Sequence, residues 1–252
     1  MSVMAPAKLH IANVTVALLA GGLATRLRPI TEQIPKALVD IAGRPFIDYQ
    51  VALFRRHGIR RLVLCLGYLG GQVEEHLGDG AALGMELRYS HDGDRLLGTG
   101  GALRRAMDLL GEVFWVCYGD SYMDIDYRAI LDCFSRQESA LGLMTVLHNA
   151  NRWERSNVVF RDGRLIRYCK RTADPDMTYV DYGVALLRRE ALQRIPPDCP
   201  YDLAQLYESM VAEETMMGYE VTNRFYEIGT PATLDEARQH LSRLTIDPLQ
   251  TN

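Results

Sequence analysis

The sequence predicts an α/β fold with a mostly parallel central sheet, on three observations. Apolar, partly β-branched runs recur through the first half, Val14 to Leu19, Arg61 to Leu66 and Val113 to Cys117 among them, and read as buried strands. The runs are separated by segments of helical periodicity, which makes them βαβ units with parallel strands and right-handed crossovers. Farther on, Asp162-Gly163 sits between two short strand-like runs, the signature of a β-hairpin, so the parallel half carries an antiparallel extension. With 252 residues, 48% hydrophobic and 24% charged, the chain suits one large domain with a sizeable core.

The elements follow in order. The first strand stops at Gly21-Gly22, and Arg26 comes soon after. Glycines at a strand end let backbone N–H groups approach an anion, and the planar fork of an arginine donates to phosphate oxygens. Neither Gly-x-Gly-x-x-Gly nor the Gly-Lys-Ser/Thr ending of a P-loop is present there. Gly43-Arg44-Pro45 opens a helix with proline in its first turn; Phe46, Tyr49, Leu53 and His57 share a face and Gly58 stops it. Strand Arg61 to Leu66, a short helix Gln72 to Leu77 and strand Met85 to Ser90 come next. Leu97-Gly98-Thr99-Gly100-Gly101 then leads into a helix from Ala102 to Leu110 and, taken alone, reads as a loop and cap.

Strand Glu112 to Tyr118 ends at Gly119-Asp120-Ser121. A carboxylate just past the carboxyl end of a buried strand lies where open α/β sheets place ligands, and Asp is also a common cap, so both readings stand. Asp124 and Asp126 read as capping or solvated residues before the helix Tyr127 to Arg136. Strand Ala140 to Leu147 and the hairpin Val158 to Phe160 and Leu165 to Tyr168 follow. Val180 to Val184 leads into strand Ala185 to Leu187; Asp181 there is either an acceptor for ligand hydroxyls or a solvated strand end. Helices Arg189 to Ile195 and Tyr201 to Glu213 are divided by Pro196-Pro197, and Thr230-Pro231 caps a last helix, Ala232 to Leu241.

Bulk properties remove several classes. A net charge of −4 with no basic block argues against a nucleic-acid binder. Five scattered cysteines without Cys-x-x-Cys fit free thiols in a reducing cytoplasm. Lys8 and the apolar run Ile11 to Ala24 superficially resemble a signal peptide, but the same residues form the first strand and its glycine loop. No other run approaches the roughly 20 apolar residues of a membrane span. A cytoplasmic protein is expected, with Tyr and Met on the late helices that would allow a homodimer.

Leu19-Ala20-Gly21-Gly22-Leu23-Ala24-Thr25-Arg26-Leu27-Arg28-Pro29, followed by Pro35-Lys36-Ala37-Leu38, resembles the two-part signature of the sugar-1-phosphate nucleotidyltransferases. The resemblance implies a three-layer Rossmann-like nucleotidyltransferase fold over 1–252. Its nucleotide half would be about 11–150, its sugar-binding part about 151–230, and its C-terminal helix 232–244. Leu19, Ala20, Gly21, Gly22, Thr25, Gly98, Thr99 and Gly100 would lie against the nucleotide, the last three beside the base, where a flat ring needs backbone without Cβ atoms. Arg26 and the Gly21-Gly22 backbone would hold the leaving phosphates and Lys36 the α-phosphate. Lys170 would meet the sugar phosphate, Asp181 and Gly183 would face the sugar, and Asp120 with Glu227 would bind Mg²⁺. The chain departs from the family pattern in three places: Cys169 stands for Glu, Asp181 for Asn and Glu227 for Asp. Because the chain stops soon after the last helix, no appended β-helix or acyltransferase domain is expected.

The reaction implied is attack of a sugar 1-phosphate on the α-phosphorus of a nucleoside triphosphate, releasing pyrophosphate and giving a nucleotide sugar for cell-surface polysaccharide. Its nucleophile is already ionised, so no general base is needed and the six histidines need no catalytic role. Leu-Gly-Thr-Gly-Gly-Ala resembles the guanylyltransferases for mannose- and heptose-type 1-phosphates, so GTP is the first expectation. Cytidylyl, uridylyl and thymidylyl transfer remain open, as does a catalytically silent nucleotide-sugar sensor. A dinucleotide enzyme is disfavoured by the first loop.

Overall fold

Why a ligand site forms at one end of this chain follows from strand direction. In the computed structural model, which describes residues 9–172 and 174–244, β1 (Thr15–Ala20) is followed by the two-residue strands β2 (Asp40–Ile41) and β3 (Arg44–Pro45), which pair with each other. Then come α1 (Phe46–Arg56), β4 (Arg61–Leu66), α2 (Gly70–Leu77), β5 (Glu86–His91), α3 (Gly98–Ala106), β6 (Val113–Tyr118), β7 (Ser121–Tyr122) and α4 (Tyr127–Ser135). The second half holds β8 (Gly142–His148), β9 (Val158–Arg161), β10 (Arg164–Tyr168), β11 (Tyr179–Arg188), α5 (Arg189–Leu192), α6 (Leu203–Ala212), β12 (Met216–Val221), β13 (Tyr226–Glu227) and α7 (Pro231–Leu241). Lys8 lies outside the described residues.

β5, β4, β1 and β6 form the parallel half, in that spatial order; β11 adds antiparallel to β6, β8 antiparallel to β11, and β12 parallel to β8. β9 and β10 are the expected hairpin, with Asp162 and Gly163 both at positive φ at its turn. Strand alternation sorts the core into two layers. Val16, Leu18, Leu62, Leu64 and Trp115 face α1, α2 and α4, whereas Ala17, Val63, Cys65, Phe114 and Val116 face α3, α5 and α6. A third cluster lies off the sheet: Leu27, Val39, Ile41, Phe46, Tyr49 and Leu53 from the early segment pack on Tyr122, Ile228, Leu234 and Leu241. That cluster joins the glycine-loop segment to the C-terminal helix.

Several expectations are corrected. The helix after Leu97 starts at Gly98, not Ala102, because its first amides find an acceptor in the carbonyl of Tyr201, at 2.8 Å from Gly100 N and 3.2 Å from Gly101 N. The two segments Val180 to Val184 and Ala185 to Leu187 belong to one continuous ten-residue strand, Tyr179–Arg188, paired on both edges. Helix Arg189 to Ile195 shortens to one turn, and Tyr201 to Glu213 begins at Leu203 with Asp202 as its N-cap. β12 was not foreseen, since Met-Met-Gly-Tyr-Glu-Val shows no alternation; at its Gly218 an added Cβ would lie 2.4 Å from the ring of Phe160. Asp126 caps α4 as expected, whereas Asp124 is engaged by both Arg56 and His57, at 2.5 and 2.8 Å.

Candidate active site

Parallel strands point their carboxyl ends one way, so the residues just past β1, β4 and β6 gather on one rim. There Gly21 packs on Gly67, where a Cβ would lie 3.0 Å from the Gly67 nitrogen, and Gly119 N donates to Leu19 O at 2.9 Å. Gly22 faces open space, with nothing within 4 Å of an added Cβ. So packing against the neighbouring strand requires the first of the paired glycines, whereas the second borders open space. The rim opens into a cleft of ≈ 350 Å³ lined by Leu19, Ala20, Gly21, Gly22, Thr25, Arg26, Lys36, Gly98, Thr99 and Asp120, with Asp92, Leu96, Tyr118 and Gly229.

The charged groups divide by partner. Lys36 Nζ lies 2.6 Å from Asp120 Oδ2, an ion pair shielded on the lysine side, and Ser121 Oγ donates to Asp120 Oδ1 at 3.2 Å. Arg26 has no ion pair among the described residues and presents its guanidinium to the cleft. Glu227 reaches this place through β13, which pairs with β7, while Ile228 N donates to Asp120 O at 2.9 Å. Burial raises the Glu227 carboxyl above its ordinary range and Asp120 raises it further, against the pull of Lys36 and Arg26. An added Cβ at Gly229 would lie 3.1 Å from both Glu227 carboxylate oxygens and 3.2 Å from Arg26 Nη2, so acid and guanidinium close around that glycine. Asp120 and Glu227 thus lie close enough for one carboxylate's charge to act on the other. Two neighbouring hard-oxygen groups suit Mg²⁺, which keeps several waters and takes one or two carboxylates plus phosphate oxygens; among the described residues no third such side chain joins them.

On the far side of Tyr118 lies the second lysine. Lys170 Nζ is 3.4 Å from the Tyr118 hydroxyl and 3.8 Å from Asp181 Oδ2. Burial works to depress the ammonium, but Tyr118 and Asp181 outweigh it and hold it above the ordinary lysine range. Burial pushes Tyr118 up to about 12, so it stays a neutral hydroxyl. Asp181 is turned inward: its side chain is 4% exposed, and it accepts from Gly183 N at 3.0 Å and Tyr168 OH at 3.2 Å. It is therefore a counter-ion for Lys170 and not an open acceptor for hydroxyls. Gly183, at φ +94°, gives its Cβ space to the Tyr118 ring, 3.1 Å away.

The glycines of α3 have a packing reason beside the one expected of them. Cβ atoms at Gly98, Gly100 and Gly101 would strike Tyr201 O at 2.9 Å, Tyr201 Cδ1 at 2.7 Å and Cys199 O at 2.6 Å. They make room for the segment entering α6, and Thr99 Oγ1 serves that same junction, accepting from Leu203 N at 2.9 Å. Sequence reasoning passed over Asp92 and Glu154. Asp92 directly follows β5 as a strand-tip acid, the signal that marked Asp120; it is buried, accepts from Leu97 N at 3.0 Å, and burial raises its carboxyl. Glu154, an exposed residue on the β8–β9 loop, shares a recess with Glu227.

A profile of the family described as nucleotidyl transferase matches residues 15–241. The chain is 29% identical over 227 residues to the N-acetylmuramate alpha-1-phosphate uridylyltransferase of Neisseria meningitidis serogroup B, covering 88% of this chain and 95% of that protein. It is 27% identical over 223 residues to the mannose-1-phosphate guanylyltransferase of Mycobacterium tuberculosis, covering 87% of this chain but only 62% of that longer protein. A Bacillus anthracis crystal structure, described as a candidate glucose-1-phosphate thymidylyltransferase with sucrose, superposes with a TM-score of 0.84 at 19% identity, over 94% of this chain and 98% of that one. At that identity the superposition speaks for the fold. No helix among the described residues is long and apolar enough to cross a membrane.

Proposed function

The chain belongs to the nucleotidyl transferase family, and on that premise we propose that it transfers a guanylyl group from GTP to a mannose- or heptose-type sugar 1-phosphate, releasing pyrophosphate. The observation that carries the reaction class is the single cleft holding the Gly22 backbone, the unpaired Arg26 and the Lys36–Asp120 pair, with Lys170 behind Tyr118. Arg26 and the loop amides take the leaving phosphates. Lys36 moves from Asp120 to the α-phosphate, an exchange of one anion for another at short range. Lys170, kept charged by Tyr118 and Asp181, meets the sugar phosphate.

Asp120 and Glu227 would hold Mg²⁺, which supplies charge neutralisation on the phosphates when bound. The nucleophile is an ionised phosphate, so the protein's task is to position two polyanions and stabilise developing charge, and it needs no general base. GTP is supported by the Leu97 to Ala102 motif and by the likeness to a guanylyltransferase.

The match across nearly the whole length of an N-acetylmuramate 1-phosphate uridylyltransferase favours a second reading, uridylyl transfer to an amino sugar. Incubation with Mg²⁺, each triphosphate and a panel of sugar 1-phosphates, read by pyrophosphate release, separates the two. Turnover with GTP and a manno-configured phosphate is expected. Preference for UTP transfers the conclusion to the second reading, and no release from any pair refutes both.

A further inference from the structure

Glu227 stands on a strand of two residues held to another strand of two residues, a poor frame for a flexible side chain. What steadies it is a stack assembled from three distant segments. The Arg224 guanidinium lies 5.4 Å from the Trp153 ring centroid on one side and 5.0 Å from that of Tyr226 on the other. Tyr226 in turn lies on His240 of α7, with centroids 3.8 Å apart at 10°, and Arg152 lies 5.0 Å from the Trp153 ring. Arg224 also pairs with Glu236 of α7, while its Nε is buried without a hydrogen-bond partner, as expected where stacking and not hydrogen bonding holds that edge. The residues following the two rings, Glu154 after Trp153 and Glu227 after Tyr226, line one recess.

We propose that Arg224 is a positioning residue: clamped between Trp153 and Tyr226, it aligns Glu227 beside the cleft, and so sets affinity for divalent cation without touching substrate. The inference rests on Glu227 being a metal ligand. It assigns to the β8–β9 loop and α7, neither of which holds a residue of the nucleotide cleft, a share in cation binding.

The test is direct Mn²⁺ titration by electron paramagnetic resonance, with a GTP analogue present, on the full chain and on Arg224→Gln, Arg224→Lys, Trp153→Leu and Glu227→Gln. Supporting partners of metal ligands are worth roughly 10–100-fold in metal affinity, so Arg224→Gln and Trp153→Leu should weaken Mn²⁺ at least about tenfold. Arg224→Lys, which keeps the charge and loses the plane, should lie nearer to Gln than to the parent. KM for the triphosphate should stay within about twofold of the parent. Arg224→Gln with unchanged Mn²⁺ affinity, while Glu227→Gln loses it, overturns the positioning role alone. Unchanged affinity in Glu227→Gln overturns the metal assignment and this inference with it. Should Arg224→Gln not fold, Trp153→Leu and Arg224→Lys decide on the same criteria.

Discussion

At the residue scale the cleft is governed by who neutralises whom. Lys36 and Asp120 satisfy each other at 2.6 Å, so the lysine does not stand as an isolated buried charge. On the role proposed for Lys36, Lys36→Ala removes contacts made chiefly in the transition state and little core. Steady-state kinetics should show kcat lower by roughly 10²–10³-fold, while thermal melting changes little. Asp92 carries a sign-definite effect on stability. Burial raises its carboxyl in the folded protein, so the native state holds the proton more tightly than the unfolded chain does. Stability from this group is therefore lost as pH rises from the ordinary aspartate range through the raised value. Asn keeps an acceptor for Leu97 N and carries no charge to bury. Melts of Asp92→Asn should gain on the parent between a pH below the ordinary aspartate range and neutral pH, and an equal offset at both ends would count against a buried carboxylate.

At the element scale the informative junction is α3 against the segment entering α6. The carbonyl of Tyr201 accepts from two α3 amides, and Thr99 accepts from the start of α6, so the N-terminus of α3, the proposed nucleotide wall, is joined to α6. Gly101→Ala would force its Cβ to within 2.6 Å of the Cys199 carbonyl, which must move and take Tyr201 with it. Overpacking of this kind destabilises by about 1–3 kcal/mol. The expected readout is a lower melting temperature together with a raised KM for the triphosphate. A changed melting temperature with an unaltered KM would separate that junction from the nucleotide wall. These glycines were legible as a motif, but their physical reason was not, because their partner lies about a hundred residues away in the chain.

At the scale of the whole molecule, three apolar clusters hold the fold and the charged rim sits on top of them. Chelation should therefore stop turnover and leave the nucleotide-free melting temperature within about a degree, whereas saturating triphosphate at 100 times its Kd should add about 2.7 kcal/mol of stability. A protein that unfolds in chelator would show that the metal belongs to the fold. Much of this architecture could be read without coordinates. The strands Arg61 to Leu66 and Val113 to Tyr118, the Asp-Gly hairpin, the Thr230-Pro231 start of α7 and the rim residues Gly21, Arg26, Lys36 and Asp120 are local signals of periodicity, turn chemistry and motif spacing. What only the tertiary structure decided was pairing. It turned Asp181 inward onto Lys170, joined Lys36 to Asp120 across 84 positions, brought Glu227 beside Arg26 through the third cluster, and placed Arg224 between Trp153 and Tyr226. The reason is that periodicity and capping act over a few neighbouring residues, whereas a carboxylate's role depends on which distant cation the folded core leaves within reach.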